Sequence, residues 1–281
     1  DALENEAYEQ LSGQVASAKI PLSKLVTKEM FYVMTDPDNT GINLKVNEKE
    51  NLTILNIANN PKTQKTNAPA NGLYMSQIAK LINDIGRVPC EFLVDELPTI
   101  FINGLDNLIA TARSNKVCVT LSFQDLAQLE RDYGKEIATS IFNTVTNVIA
   151  GNVVNETAKK ISDSIGRVVQ ERQSISIDKE GSSSTSISTQ LDSLVPASKI
   201  AQLSTGEFVG ILGDTFKEKL PTKVFRGTIS PDKSDLDESL KIPIINEVVN
   251  DQVLIDNMKT IQNDIETLIE YELKRIDLMS D

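Results

Sequence analysis

The sequence of 281 residues contains no histidine and no tryptophan, and its only cysteines are Cys90 and Cys118. Without imidazole, the catalytic triads built on histidine are excluded, and the usual zinc sites are excluded for lack of ligands. Both cysteines lie inside apolar runs, which predicts small buried side chains in a reducing, cytoplasmic setting. Chemistry must therefore come from carboxylates, arginine, glutamine or hydroxyl groups.

Long apolar runs are also missing. Hydrophobic residues make up 40% of the chain, which is enough to bury a core, but no run approaches the roughly 20 residues that a membrane span requires. We therefore expect the chain itself to be soluble and globular. Because the sequence opens at Asp1 with neither Met nor a leader, we expect any membrane anchor to lie upstream of it.

The net charge of −12 is distributed unevenly along the chain. Residues 231–281 hold 13 acidic against five basic side chains, a difference of −8 out of the whole −12. The remaining chain is only mildly acidic. This balance argues against capture of duplex nucleic acid by the whole surface, although it leaves room for a local basic pore.

The middle of the chain alternates strand and helix patterns. Apolar strands are predicted at 90–94, 117–123 and 145–154, separated by helices at 104–113 and 125–143. Because parallel neighbours need helical crossovers, this order predicts an α/β fold with a mostly parallel sheet flanked by helices. The uninterrupted apolar runs predict strands that are buried on both faces.

The flanking regions have weaker patterns. Residues 174–190 are rich in serine, and polar residues alternate with isoleucine on both sides of Gly181. This pattern fits either a flexible loop or a hairpin. The long helix predicted at the C-terminus carries an apolar stripe that fits either a short coiled coil or packing against the chain itself. We further expect helices at 1–20 (closed by Pro21), 72–85 and 251–279, and strands at 30–35, 52–58, 207–213 and 223–229.

Polar side chains follow two successive strands of the predicted sheet. Asp95 and Glu96 come directly after the strand 90–94, and Gln124 ends the strand 117–123. Ligands of α/β sheets bind at the carboxyl ends of the strands. There an Asp can hold the water shell of Mg²⁺, the next Glu can activate the attacking water, and a glutamine amide can sense the terminal phosphate.

Arg113 lies at the end of the helix between these strands. An arginine at the edge of a protomer can reach the terminal phosphate of a nucleotide held by a neighbouring subunit. Each feature also has a simpler interpretation: charged residues end strands for solubility, an arginine stabilises a helix C-terminus, and a glutamine can cap. Three coincident placements favour the catalytic interpretation.

The motifs resemble a known family. The run FLVDELPTIFINGLDNLIATARSNKVCVTLSFQDLAQLERDYG (92–134) is similar to the C-terminal motor segment of type IV secretion coupling proteins of the TraG/TraD kind. The similarity continues through NVIAGNVVNETAKKISDSIG (147–166) and GEFVGIL (206–212), and it covers roughly residues 25–229. As a set, the acidic strand end, the ATARS run and the QDLAQLERDYG run are specific.

The resemblance implies a membrane-anchored hexameric ATPase with a RecA-like P-loop NTPase core, located at the cytoplasmic face of the inner membrane. Such a motor uses ATP and Mg²⁺, recruits a relaxase–DNA complex and pumps single-stranded DNA to the proteins of a type IV secretion channel during conjugation. Carried over residue by residue, Asp95 matches the Mg²⁺-associated acid and Glu96 the catalytic acid of Walker B. Arg113 matches the arginine finger, and Gln124 matches the sensor glutamine.

One part of the family pattern is missing. No G-x-x-x-x-G-K-S/T loop occurs: the Gly-Lys pair is Gly134-Lys135, and Leu129 stands where the first glycine is needed. In the family this Walker A loop precedes Walker B, with a helical domain inserted between them. We therefore expect a chain truncated before Walker B that does not hydrolyse ATP alone, because nothing cradles the phosphates.

The resemblance also implies a division of the chain. Residues 1–24 are expected to be the end of the inserted helical domain, 25–230 the C-terminal part of the motor domain, and 231–281 an acidic linker with an amphipathic helix. Two other functions stay open. The chain could be a non-catalytic docking platform for relaxosome or channel proteins, or part of another RecA-like DNA translocase of the packaging or chromosome-translocating type.

Overall fold

The computed structural model describes residues 8–23, 25–35, 41–177, 183–215, 218–230 and 249–280. The chain divides into two compact units. The first comprises the described parts of Asp1–Cys90, Thr99–Gly104 and Ile242–Asp281, and the second those of Glu91–Pro98 and Leu105–Lys241. The predicted linker at 231–248 lies outside the described residues. No helix in the described ranges combines the length and the hydropathy needed to span a bilayer.

The first unit is mainly helical. The predicted N-terminal helix is present but runs past Pro21, and none of its side chains is buried. The helix expected at 72–85 begins eight residues earlier than predicted. The elements are α1 (Tyr8–Ser23), α2 (Lys28–Met34), β1 (Asn47–Glu48), β2 (Asn51–Leu52), α3 (Gln64–Ile82) and the C-terminal helix (Asp251–Ser280).

Two strands predicted in this unit are wrong. Residues 30–35 lie mostly in α2, which begins where the Thr27 hydroxyl accepts a hydrogen bond from the Met30 amide at 3.2 Å. This N-cap stabilises a helix. The periodicity of the apolar run alone fits either a strand or a helix. Of residues 52–58, only Leu52 is in a strand, β2. Ile54 is 99% exposed, so its side chain buries almost no apolar surface.

The C-terminal helix packs within the chain along its first turns. Lys28 on α2 forms an ion pair with Asp251 at 2.9 Å, and the Asn257 amide donates to the Thr35 hydroxyl at 3.1 Å. Leu254 and Met258 are half-buried on this side. Of the two alternatives for the apolar stripe, packing against the chain is therefore observed for this part of the helix.

The second unit begins with the predicted pair of neighbouring strands, β3 (Cys90–Val94) and β4 (Val117–Leu121), connected through α4 (Leu105–Thr111). The Ser122 amide donates to the Val94 carbonyl at 2.9 Å, and the Ser122 carbonyl accepts from the Leu97 amide at 2.8 Å. Such staggered bonding to two different residues is the parallel pattern. The predicted α/β fold with parallel strands is confirmed.

The expectation that both faces of these strands are buried is wrong. Phe92 and Val94 are buried, whereas Glu91 and Leu93 are exposed, because successive side chains point to opposite faces. Within the described chain only one face of the pair is covered. Cys118 is exposed for the same reason, which corrects the prediction of a buried thiol.

Beyond β4 the chain continues as α5 (Leu126–Tyr133) and α6 (Lys135–Thr144). These replace the single helix predicted at 125–143, because Gly134 adopts a positive φ of 82°, which a helix cannot contain. Asp125 caps α5 by accepting from the Ala127 amide at 3.0 Å. The polypeptide then enters β5 (Val148–Ala150), which is shorter than the strand predicted at 145–154.

The remaining sheet is antiparallel. β5 pairs with β8 (Glu207–Ile211), which pairs with β9 (Val224–Thr228). A side chain at Gly210 would collide with the Val148 carbonyl and the Phe225 ring, so this close approach requires glycine. The sheet packs with α7 (Asn155–Ile165) and α8 (Ala197–Ile200) around a core of Ala150, Ala158, Ile161, Ile165, Ile200, Leu203 and Val209.

Between α7 and α8 stands a long antiparallel hairpin, β6 (Arg167–Ile177) and β7 (Ser183–Ser193). Of the two alternatives for residues 174–190, the hairpin is confirmed, although its tip lies outside the described residues. Outside the base of the hairpin, the described side chains face solvent: Val169 is 60% exposed and Leu191 is 56% exposed.

Candidate functional site at the tips of two parallel strands

The predicted acidic pair lies at the carboxyl end of β3. Asp95 is exposed and Glu96 is half-buried. Glu96 has a φ of +53°, in the left-handed region that residues other than glycine seldom adopt. Such a conformation persists only where surrounding contacts hold it, and it is found often at functional sites.

Ser122 at the end of β4 supplies contacts to both acids. Its hydroxyl donates to Oδ1 of Asp95 at 2.5 Å and accepts a hydrogen bond from the Glu96 amide at 3.2 Å. The first is a short, charge-assisted hydrogen bond. The two strand tips are thus joined by side-chain bonds as well as by the backbone ladder.

Gln124 completes the connection. Its Nε2 donates to Oε2 of Glu96 at 2.9 Å, and the side chain is exposed. Asp125 follows it and starts α5, while Oδ1 of Asp125 also accepts from the buried Thr157 hydroxyl at 3.0 Å. Because α5 is anchored in this way, the segment that carries Gln124 leaves β4 in a defined direction. Acid and amide therefore meet at one edge of the parallel pair.

The structure does not bring Arg113 to this edge. It is exposed and lies in the turn after α4, before β4 begins at Val117. The five-residue length of β4, at about 3.3 Å per residue, separates the two ends of the strand by about 16 Å. Arg113 is therefore at the opposite edge of the strand pair from Glu96.

The donor set suits a hydrated Mg²⁺ bound with a nucleotide. Among the residues that the structure describes, no cluster of three His, Cys, Asp or Glu side chains could hold a metal by itself. Mg²⁺ in nucleotide sites keeps several waters and uses one or two carboxylates together with the substrate phosphates. An exposed Asp95 beside Glu96 fits that requirement, whereas the phosphate-binding loop is absent from the sequence.

Ser122 is the residue that sequence reasoning missed. A signal for it existed, because residues two apart on a strand point to the same side, and Ser122 precedes the predicted sensor Gln124 by two. A lone serine after an apolar run carries little information, since serine commonly ends strands. The bond to Asp95 depends on the register between β3 and β4, which the residue pattern did not specify.

Comparisons with known proteins bear on the family and the fold. Residues 89–205 match the family model described as "TraM recognition site of TraD and TraG". The matched range includes Asp95, Glu96, Arg113 and Gln124. The comparison with curated proteins found no match.

Solved structures of the coupling protein TrwB share the fold. A trigonal form with sulphate is 16% identical with a TM-score of 0.62, and a complex with the non-hydrolysable GTP analogue GDPNP is 15% identical with a TM-score of 0.60. Each match covers 79% of this chain and 50% of TrwB. A TrwB complex with ADP and Mg²⁺ is 14% identical with a TM-score of 0.50, covering 61% of this chain and 38% of TrwB.

At these identities the structural likeness shows the fold alone, and the chain spans about half the length of the first two TrwB chains. The RecA-like α/β class predicted from the sequence is confirmed by it. The family resemblance is confirmed by the match over residues 89–205. Residues 89–205 are therefore similar to the TraG/TraD family of coupling proteins, and the chain has the fold of TrwB.

Proposed function

We propose that this chain supplies the hydrolytic half of an ATP-driven motor in a conjugative coupling protein. In this role Asp95 holds Mg²⁺ through water, Glu96 activates the attacking water, and Gln124 senses the terminal phosphate. The phosphate-binding loop comes from sequence that is not in this chain. The observation that carries the proposal is the meeting of Asp95, Glu96 and Gln124 at the adjacent ends of β3 and β4.

Arg113 acts on a neighbouring subunit in this proposal. Because about 16 Å of β4 lies between its turn and the strand tips, it is poorly placed to serve the site of its own chain. An arginine finger supplied by the next protomer stabilises charge on the transferred phosphoryl group. This arrangement requires a ring of subunits, and we propose the hexamer that the family resemblance implies.

The whole protein would work at the cytoplasmic face of the inner membrane. There it would recruit the relaxase–DNA complex and pump single-stranded DNA into a type IV secretion channel. We propose that residues 1–24 end an inserted helical domain, that 25–230 form the C-terminal part of the motor, and that 231–281 form an acidic linker and helix. The conjugative TrwB matches favour this motor over a packaging or chromosome-translocating ATPase.

The test is a glutamine substitution in a longer form of the protein that includes its phosphate-binding loop. Glu96→Gln removes the base but keeps the size of the side chain, so we expect ATP turnover to fall by about 10² to 10⁴-fold. Nucleotide binding, measured with a fluorescent ATP analogue, is expected to persist. Unchanged turnover in this variant contradicts the proposal.

Glu91→Gln is the matched control. Glu91 lies near the start of β3, is exposed, and accepts a hydrogen bond from the Thr120 hydroxyl at 2.9 Å. It therefore shares the strand, the chemistry and a hydroxyl partner on β4 with the acids at the tip. We expect turnover in the control to stay within about twofold of the wild type, because it lies away from the strand ends.

The description of the matching family favours a second function, docking of a relaxosome protein on residues 89–205. We propose that this region binds a TraM-type partner in addition to its part in hydrolysis. The test compares the full chain with a form that lacks residues 231–281 in a pull-down with purified partner. Retained binding supports docking on 89–205, and loss of binding in a form that still melts cooperatively moves the docking site to the tail.

A further inference from the structure

We infer that Ser122 is a positioning residue for this hydrolysis: its hydroxyl fixes Asp95 and Glu96 as one unit, so the reaction needs it although it does not touch the nucleotide. The inference rests on the proposed function of the strand tips. It adds a residue to that site that neither the motif pattern nor the family resemblance assigned.

Ser122 makes a hydrogen bond to each of four consecutive residues at the tip of β3. Its amide donates to the Val94 carbonyl, and its carbonyl accepts from the Leu97 amide. Its hydroxyl donates to the Asp95 carboxylate and accepts from the Glu96 amide. The backbone bonds lie just beyond the ends of the two strands and are available to any residue other than proline, whereas the two side-chain bonds require a hydroxyl.

Those two bonds act at a backbone conformation that is unfavourable by itself. Glu96 has the left-handed φ of +53°, so its amide direction and its side-chain direction depend on local restraint. Asp95 is exposed, and an exposed carboxylate without a fixed partner samples several rotamers. One hydroxyl restrains both groups, because the same oxygen contacts the carboxylate of the first acid and the amide of the second.

The consequence for the reaction is a specific kinetic signature. Without the hydroxyl, both acids are still present. The Asp95 carboxylate, which we propose binds Mg²⁺ through water, and the backbone that orients the Glu96 side chain are then less restrained. A displacement of about 1 Å at a catalytic group can cost about 10²-fold in rate. Binding of the nucleotide depends mainly on the phosphate loop, so kcat is expected to fall while KM for ATP changes little. The Mg²⁺ concentration that gives half-maximal rate is expected to rise.

The strand offers a matched control for this substitution. The Thr120 hydroxyl on β4 also donates to a carboxylate of β3, that of Glu91, at 2.9 Å. It is exposed like Ser122 and lies two residues before it. Thr120→Val removes the same kind of bond on the same pair of strands but at a distance from the acids.

The test uses the longer protein with its phosphate-binding loop, assayed for ATP turnover across ATP and Mg²⁺ concentrations. We expect Ser122→Ala to lower kcat by about 10- to 100-fold, with KM for ATP within about twofold. Ser122→Thr is expected to restore most of the rate, because it keeps the hydroxyl. Ser122→Val matches threonine in shape, so the Thr and Val pair isolates the hydroxyl if alanine impairs folding. Thr120→Val is expected to behave as the wild type.

Equal kcat and equal Mg²⁺ dependence in Ser122→Thr and Ser122→Val would overturn the inference. Glu96→Gln, measured in the same series, separates this failure from failure of the proposed function. If Glu96→Gln is inactive while the Ser122 variants are normal, only the role of Ser122 is wrong. If Glu96→Gln retains full turnover, the assignment of the strand tips to hydrolysis is wrong as well.

Discussion

Two strand pairs in the second unit are stabilised in opposite ways. The parallel pair β3–β4 buries Phe92 and Val94, and the polar groups that follow its ends are bonded to one another. The antiparallel hairpin β6–β7 is longer, yet its described side chains outside the base face solvent. A parallel pair needs a crossover connection, here through a helix, whereas an antiparallel pair needs only a short turn, and a hairpin without a buried face is at best marginally stable.

This difference explains where a precise site can form. At the ends of β3 and β4, burial on one face fixes the backbone, and exposed acids are then positioned by bonds across the strands. The hairpin also carries polar groups, including an exposed ion pair between Arg172 and Asp192 at 2.7 Å. An exposed pair of this kind contributes little, because water and salt screen it. We therefore expect substitutions at the strand tips to lower stability and ATP turnover far more than substitutions on the hairpin.

The largest expected effect is on the free energy of unfolding, in a comparison of a buried leucine with an exposed one. Leu97, next to Glu96, is fully buried, whereas Leu191 on β7 is 56% exposed. We expect Leu97→Ala to lower the free energy of unfolding by about 2–5 kcal/mol. Leu191→Ala is expected to change it by less than about 0.5 kcal/mol. Urea unfolding followed by circular dichroism measures both, and equal losses would contradict the contrast between the two strand pairs.

A matched pair of glutamines tests the contrast in activity. Gln124 donates to Glu96, while Gln190 lies exposed on β7 opposite Gln170. We expect Gln124→Ala to reduce ATP turnover of the longer protein by about tenfold, the effect of one lost transition-state hydrogen bond of roughly 1.4 kcal/mol. Gln190→Ala is expected to leave turnover unchanged. A fall of similar size in both variants would show that activity depends on the general integrity of the fold.

Thiol labelling sharpens the comparison within β3 and β4. Burial raises the pKa of the half-buried Cys90 thiol, and the Asn47 amide contacts its sulfur at 3.5 Å. Cys118 is exposed on the outer side of β4. We expect a disulfide reagent to modify Cys118 first in the native protein and Cys90 more slowly, measured with single Cys→Ser variants. Faster modification of Cys90 than of Cys118 would contradict the structure, in which Cys118 is the more exposed thiol.

The smallest expected effect concerns Glu207, a half-buried residue at the start of β8. A hydrogen bond from the Ser204 amide, together with Arg226, holds the pKa of Glu207 below its usual 4.5. A carboxyl whose pKa is depressed by folding stabilises the native state above its unfolded pKa, and this stabilisation is lost as the pH falls through the folded pKa. Glu207→Gln should therefore flatten the fall in stability below about pH 4.5. Urea midpoints at neutral and acidic pH measure this, and an unchanged slope would contradict it.

Much of the site was predictable because its signals are local. Asp95, Glu96 and Gln124 each follow a short apolar strand, and the order of strand and helix predicts that the strand ends share an edge. Ser122 could not be assigned in this way. Its role depends on which residue of β4 lies beside Asp95, and that register is set by packing between distant segments.

Each error in the predicted fold has its own physical origin. The apolar run at 30–35 fits a strand or a helix, and the Thr27 cap decides for helix α2. The run at 117–123 suggested burial on both faces, but burial depends on which elements cover a strand, and Cys118 remains exposed. The predicted helix at 125–143 is divided because Gly134 adopts a left-handed backbone, a choice that the helical period does not reveal.

The most direct measurement is an experimental structure of the longer protein with Mg²⁺ and a non-hydrolysable ATP analogue. The account predicts that the Asp95 carboxylate lies about 4 Å from Mg²⁺, with one water between them, and that Glu96 and Gln124 face the terminal phosphate. A nucleotide whose terminal phosphate lies away from the ends of β3 and β4 would contradict it.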